Sequence, residues 1–158
     1  RWLFDVPPER IGVLVHRKSV VHSLVEFADH SILAQLGCPD MRVAIQYALT
    51  YPDRLDCPAP ALDLTAAGAL EFTGPDRVAF PALELGYRAL QSGSAAAIAL
   101  NGANELAVAA FLGGRIGFTQ IPALAARAMD AFAGEPVGSI GDVLELDRRV
   151  RARVERWL

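Results

Sequence analysis

The interval 51–76 constrains this chain more than any other feature. It carries Pro52, Pro58, Pro60 and Pro75 with Gly68 and Gly74, and its apolar anchors are scattered at Leu55, Leu62, Leu64, Leu70 and Phe72. No helical or strand period runs through it, so neither one long helix nor one continuous sheet can be built across it. A stretch of this kind reads as an ordered connector packed over a surface, or as a functional loop. The flanks differ in texture. Residues 1–50 are β-rich and 77–158 are helical in pattern, which gives an α+β chain in three parts.

Upstream of the connector, IGVLVH at 11–16 is apolar and β-branched, as a strand requires. SVVHSLVEF at 19–27 alternates in part: Val21, Ser23, Val25 and Phe27 share one face, and Val20, His22, Leu24 and Glu26 the other. Asp29-His30 separates this run from SILAQL at 31–36, so the two runs are expected to pair as a hairpin. Histidine at the turn is unusual, because such turns favour Gly or Asn at positive φ. Pro39-Asp40 then fits a helix start, with Met41, Ile45, Ala48 and Leu49 at helical spacing and Pro52 beyond the end.

Downstream, four helices are expected. The first opens at Phe80-Pro81 and closes at Gly93; the second is Ala-rich from Ala95 to Leu112 and closes at Gly113-Gly114. Thr119 can cap the third. Ser139 and Asp142 form a capping box for the last, Ile140 to Leu158. Its apolar set is Val143, Leu144, Leu146, Val150, Val154, Trp157 and Leu158, and its exposed face carries Arg148, Arg149, Arg151, Arg153 and Arg156. Arginines late in a helix suit the negative end of its dipole. Four such helices can bury a core as a four-helix bundle.

Composition excludes several classes. Of 158 residues, 53% are hydrophobic and 21% charged, too apolar for disorder. The net charge of −3 gives no bulk footprint for nucleic acid. The charge-free stretch 92–104 contains polar and glycine positions, so no membrane span is expected. Cys38 and Cys57 match no zinc or redox spacing and read as reduced thiols of a cytoplasmic protein. With three histidines, a Cys/His metal cage is not expected. The chain opens on Arg1 rather than Met, and RWLF at 1–4 has the texture of an element's interior, so the protein is expected to continue upstream.

Chemistry-bearing motifs are few. His16, Ser19, His22 and Ser23 cluster within eight residues, but GxSxG is absent and a serine hydrolase is not supported. Gly113-Gly114-Arg115-Ile116-Gly117 is not a dinucleotide-binding loop and follows a helix rather than a strand. The scattered aspartates give no metal-ligand spacing. Asn101, Asn104 and Glu105 are polar residues in an Ala-rich helix, where Asn is a poor helix former, and are expected to make buried hydrogen bonds to a neighbouring helix or the connector.

The exact wording of the chain says more. VHRKSVVHSLVEFADHSILAQLGCPDMR (15–42) resembles the 1-deoxy-D-xylulose 5-phosphate reductoisomerase family, whose form is close to VHPQSVIHSMVxxxDGSxxAQLGxPDMR. The likeness continues through IQYALTYPDRL (45–55), the leucines and PD of 62–76, FPALELGYRAL (80–90), ALNGANELAVAAFLGGRIGFTQI (99–121) and DVL (142–144). The chain departs from the family at Arg17-Lys18 for Pro-Gln, His30 for the turn glycine and Gly102 for an alanine.

The resemblance implies the C-terminal part of a three-part enzyme: the tail of a central catalytic domain (1–50), a connecting segment (51–76) and a helical domain (77–158). The whole enzyme would rearrange 1-deoxy-D-xylulose 5-phosphate and reduce the intermediate with NADPH to 2-C-methyl-D-erythritol 4-phosphate, in non-mevalonate isoprenoid synthesis. It implies Mg²⁺ or Mn²⁺ and NADPH bound mainly by upstream residues, with no metal ligand in this chain. It also implies a sugar phosphate substrate and a homodimer contact at 19–36. Ser19 and His22 would support the site by hydrogen bonds, and Met41 would form an apolar wall near the nicotinamide. The helical domain would brace the central one, with Asn101, Asn104 and Glu105 tying helix to connector. Two readings compete: a catalytically silent helical scaffold, and a divergent oxidoreductase with another substrate.

Overall fold

The computed structural model describes residues 3–158; Arg1 and Trp2, the start of the RWLF run, lie outside the described residues. The elements in chain order are β1 (Val21–Glu26), β2 (Ile32–Leu36), α1 (Met41–Thr50), α2 (Leu64–Ala67), α3 (Ala82–Ser92), α4 (Ser94–Leu112), α5 (Gln120–Ala131) and α6 (Ile140–Glu155), preceded by one 3-10 turn at Pro8–Arg10. The fold is α+β. The chain forms two compact units, Arg1–Gly12 with Asp76–Leu158, and Val13–Pro75.

In the helical unit, α4 packs against α3, α5 and α6. It can do so because its inner face is a stripe of small residues: Ala96, Ala99, Ala103, Ala107 and Ala110 are all buried at a spacing of three and four. Small side chains let helix axes approach, and larger partners fill the space: Leu85 from α3, Met129 from α5, Leu146, Val150 and Val154 from α6, and Phe132 beyond α5. Gly102 marks a close approach, since a Cβ there would lie 3.0 Å from Asp147 Oδ1 and 3.2 Å from Val150 Cγ1. By length and composition α4 could cross a membrane. Here its alanines are the core of this unit.

The N-terminus of α6 carries the expected capping box: Ser139 Oγ accepts from the Asp142 N–H, and Asp142 accepts from the Ser139 N–H. Its buried seam is narrower than the sequence set. Leu146, Val150 and Val154 face the core at i, i+4 and i+8, whereas Leu144 is two residues off that stripe and stands exposed. Thr119 sits at the N-cap of α5 in helical conformation and its side chain makes no capping bond. The residues at 11–12 group with the helices, and the Tyr87 hydroxyl donates to the Ile11 carbonyl at 2.7 Å.

In the second unit β1 and β2 pair antiparallel, with Leu24 opposite Ala34, Val25 opposite Leu33 and Glu26 opposite Ile32. The turn is a three-residue loop: Phe27 N–H donates to Ser31 O, His30 N–H donates to Phe27 O, and Asp29 Oδ1 accepts from both the N–H and the hydroxyl of Ser31. His30 occupies its left-handed position at φ +66°. The expected strand at 11–16 does not form; only Val15 pairs, in an isolated bridge with Thr73. The apolar character of that run could not supply a partner strand. The connector is less bare than its composition suggests, because Asp63 caps the short helix α2 through the Thr65 and Ala66 N–H groups.

Candidate functional site

The candidate site lies in the second unit, on the path from His16 through β1 and β2 to the start of α1. It begins at a turn in which the Ser19 N–H donates to the His16 carbonyl and Ser19 itself adopts φ +51°. A non-glycine residue in this region costs free energy and persists only where its surroundings enforce it. The flanking residues do so. His16 Nδ1 lies 2.8 Å from the Glu71 carbonyl, and its ring stacks on Phe72 with centroids 4.8 Å apart. Because a carbonyl can only accept, Nδ1 carries the proton and Nε2 is left as an acceptor, buried and without a partner among the described residues. Lys18 donates to the Ala67 carbonyl at 2.6 Å, at the end of α2 where Gly68 turns at φ +66°. The turn is thus held from the connector on both sides.

His22 falls at a β-bulge. The pairing passes from Val21–Leu36 to Ser23–Gln35, so β1 spends one extra residue there, and that residue is His22. A bulge breaks the strict alternation of a strand and re-aims the side chain it carries. Here His22 Nε2 comes near Gly37, at 3.9 Å from where a Cβ on that glycine would stand. Gly37 N–H in turn donates to the Val20 carbonyl, fixing the chain that leads on to Met41.

Met41 is the first residue of α1 and is 70% exposed. Its position is set by Asp40, whose Oδ1 accepts from the Arg42 N–H at 2.9 Å while both carboxylate oxygens take the Arg42 guanidinium. The hydrogen bond from the Arg42 side chain holds the Asp40 carboxyl below its usual value, which favours the ionised cap. Farther along, Gln46 Nε2 donates to the carbonyls of Leu55 and Asp56 and pins the connector to α1.

Ser19 and His22 therefore share one turn-and-bulge segment, and Met41 follows from β2 across Gly37. No hydrogen bond joins the three among the described residues, and the side chains of Ser19 and His22 are exposed. His16 and Lys18 are the anchors that the sequence did not reveal; their partners lie 55 and 49 residues away and are backbone carbonyls, which have no signature in sequence. Among the described residues no group of three or more His, Cys, Asp or Glu side chains could hold a metal ion. Cys38 and Cys57 are both free thiols.

Asn101, Asn104 and Glu105 are not buried as expected, although Glu105 does reach a neighbouring helix. All three are exposed, and the tie between helices is made by Glu105: Arg151 donates to Glu105 at 2.6 Å and to Asp147 at 2.7 Å, and Asn101 donates to Glu105 within α4. The Arg151 hydrogen bond lowers the Glu105 carboxyl below its usual value. The buried side of α4 is taken by alanines and Gly102, so these polar residues face outward.

A family profile for the DXP reductoisomerase C-terminal domain matches residues 36–153. The 1-deoxy-D-xylulose 5-phosphate reductoisomerase of Citrifermentans bemidjiense is 52% identical over 94% of this chain and 38% of that protein. The relative of the same name from Laribacter hongkongensis is 51% identical over 96% of this chain and 39% of that protein. A solved structure of the Zymomonas mobilis reductoisomerase in complex with NADPH has a TM-score of 0.92 at 41% identity, covering 98% of this chain and 41% of that one. Another, DOX-P reductoisomerase in complex with NADPH, fosmidomycin and magnesium, has a TM-score of 0.93 at 40% identity, covering 98% and 40%. The chain spans about two fifths of the length of the relatives it matches.

Proposed function

Because the chain belongs to the 1-deoxy-D-xylulose 5-phosphate reductoisomerase family, we propose that it is the C-terminal part of an enzyme of that activity. The whole enzyme, in this reading, rearranges 1-deoxy-D-xylulose 5-phosphate and reduces the intermediate with NADPH to 2-C-methyl-D-erythritol 4-phosphate, in the cytoplasm. The observation that carries the reading is the fold likeness across 98% of the chain to a reductoisomerase solved with NADPH, at 41% identity. NADPH and Mg²⁺ or Mn²⁺ belong to the whole enzyme and are held mainly by upstream residues.

The work of this chain is positioning. Residues 1–50 form the tail of the central catalytic domain, 51–76 its connection and 77–158 the helical brace. The Ser19 hydroxyl and the His22 imidazole have no hydrogen-bond partner among the described residues and are directed by a strained turn and a bulge. They hydrogen-bond to the groups that grip substrate and fix their orientation. Met41, exposed at the start of α1, supplies an apolar wall beside the nicotinamide. Residues 19–36 form the homodimer contact. Both faces of that hairpin carry exposed apolar side chains, Leu24 and Ile32 on one and Val25 and Leu33 on the other, which a second subunit would cover.

The test is NADPH oxidation with 1-deoxy-D-xylulose 5-phosphate and Mg²⁺ or Mn²⁺, on this chain and on a version extended upstream. Activity is expected only in the extended protein. Activity in neither would favour a silent scaffold or a different substrate. In the extended protein His22→Ala should lower turnover more than it raises the metal requirement, and unchanged turnover would remove His22 from the site. A monomeric extended protein in sedimentation would remove 19–36 as the dimer contact.

A further inference from the structure

The helical unit holds a basic cleft for which the proposed reaction has no use. At about 100° per residue, Arg148, Arg149, Arg153 and Arg156 fall within about 140° of the α6 surface. Together with Phe132 and Glu135, which follow α5, they line a cleft of about 420 Å³. That volume is within the range of small-molecule sites.

The four guanidiniums are not equivalent. Arg149 is held by two hydrogen bonds to Glu135, at 2.6 and 2.7 Å, and lies 5.6 Å from the centre of the Phe132 ring. Arg148 is held by two to Glu145, at 3.0 and 2.7 Å. Arg153 and Arg156 have no carboxylate partner among the described residues. Arg153 is oriented by the ring of Trp157, 5.8 Å away, on which Arg127 also stacks at 4.0 Å.

The helix dipole accounts for a cation in the last turn, but not for four that line one cleft. Like charges at i, i+3 and i, i+4, as in Arg153–Arg156 and Arg149–Arg153, repel and disfavour the empty helix. The accumulation stands out in a chain whose net charge is −3. An anion would relieve the repulsion. Guanidinium forks match phosphate oxygens in a bidentate manner, and two arginines one turn apart can grip neighbouring phosphoryl oxygens.

We propose that this cleft binds a small phosphate ligand carrying at least two negative charges, a diphosphate or a phosphate ester. Arg153 and Arg156 are the gripping donors. Arg148 and Arg149, set in place by their glutamates, provide the flanking field.

The experiment counts bound radiolabelled pyrophosphate per chain by equilibrium dialysis of the full-length protein at low ionic strength. It compares the unaltered protein with the Arg153→Gln/Arg156→Gln and Arg153→Lys/Arg156→Lys double variants. Because the full-length protein has other phosphate sites in the proposed function, the difference in count is the readout. The glutamine variant should lose one pyrophosphate per chain, with at least a tenfold loss of affinity at that site, and the lysine variant should retain the site more weakly. NADPH-oxidation turnover and far-UV circular dichroism should be unchanged in both. Equal counts in all three proteins would overturn the proposal. So would a loss accompanied by loss of helix, and so would binding of polyglutamate, without pyrophosphate, that depends on the two arginines, which would make the cleft a docking surface for an acidic polypeptide.

Discussion

The two units solve the burial problem in opposite ways. The helical unit closes its own core: Ala99, Ala103, Ala107, Ala110, Val150 and Val154 are fully shielded, and Met129 and Phe132 fill the spaces that the alanines leave. In the unit of Val13–Pro75 the buried apolar side chain is Val20, while Leu33, Met41, Ile45 and Leu49 are all more than half exposed. That unit is organised by hydrogen bonds to backbone: Lys18 to Ala67, His16 to Glu71, Gln46 to Leu55 and Asp56, and the caps at Asp40 and Asp63. A net hydrogen bond contributes only about 1 kcal/mol, whereas a buried large side chain contributes about 1.5–3. Stability therefore resides in the helices, and the strained, accessible geometry suited to a site resides in the hairpin unit.

The sharpest way to break this contrast is to truncate one matched side chain in each unit. Met129→Ala should cost about 3 kcal/mol, because its cavity opens in a closed core. Ile45→Ala should cost under about 0.5 kcal/mol, as for an exposed position. Urea denaturation followed by circular dichroism reads both. A large loss for Ile45→Ala in the full-length protein would show that something outside this chain covers α1. Overfilling probes the same asymmetry: Ala103→Leu should cost about 2 kcal/mol, since the small-residue stripe is what permits α4 to approach its neighbours. A neutral result would mean that the helical core is loosely packed. In the hairpin the expected sign is reversed. His30→Gly should raise stability by about 1 kcal/mol by removing the left-handed strain at φ +66°, and a melting temperature that does not rise would mean the Glu26 contact at 3.3 Å offsets that strain.

The smallest effect is electrostatic. Glu105 is depressed below its usual 4.5 by the hydrogen bond from Arg151. A depressed carboxyl contributes stability that is fully present above its unfolded value and is lost as pH falls through its lower folded value. The tie between α4 and α6 should thus hold above about pH 4.5 and weaken below it. Glu105→Gln should flatten that acid slope without altering stability near neutrality by much, because the pair is exposed. An acid slope that is identical in the two proteins would assign it to other carboxylates.

Much of this was legible in the chain. The periods of α3 to α6, the closing glycines, the Ser139–Asp142 box and the Asp40 helix start are local patterns, and local chemistry realises them. The strand expected at 11–16 does not form because apolar β-branched residues state a preference for extended chain without naming a partner, and among the described residues the partner is Thr73 alone, opposite Val15. The same limit explains Asn101, Asn104 and Glu105. Polarity within an Ala-rich helix marked them as exceptional, but which side of α4 would be buried depended on where α3, α5 and α6 came to rest.

For the site, the sequence by itself determined the residue types and their order: the HRKSVVHS run, the turn, PDMR and the family they resemble. Those are properties of consecutive residues, and they can be read without knowing the fold. Only the tertiary structure decided that His22 is the extra residue of a bulge, that Ser19 is held at positive φ, and that backbone carbonyls of Ala67 and Glu71 anchor the turn. A carbonyl looks the same on every residue, so a contact that spans 49 or 55 positions leaves no trace in the sequence until folding brings its two ends together.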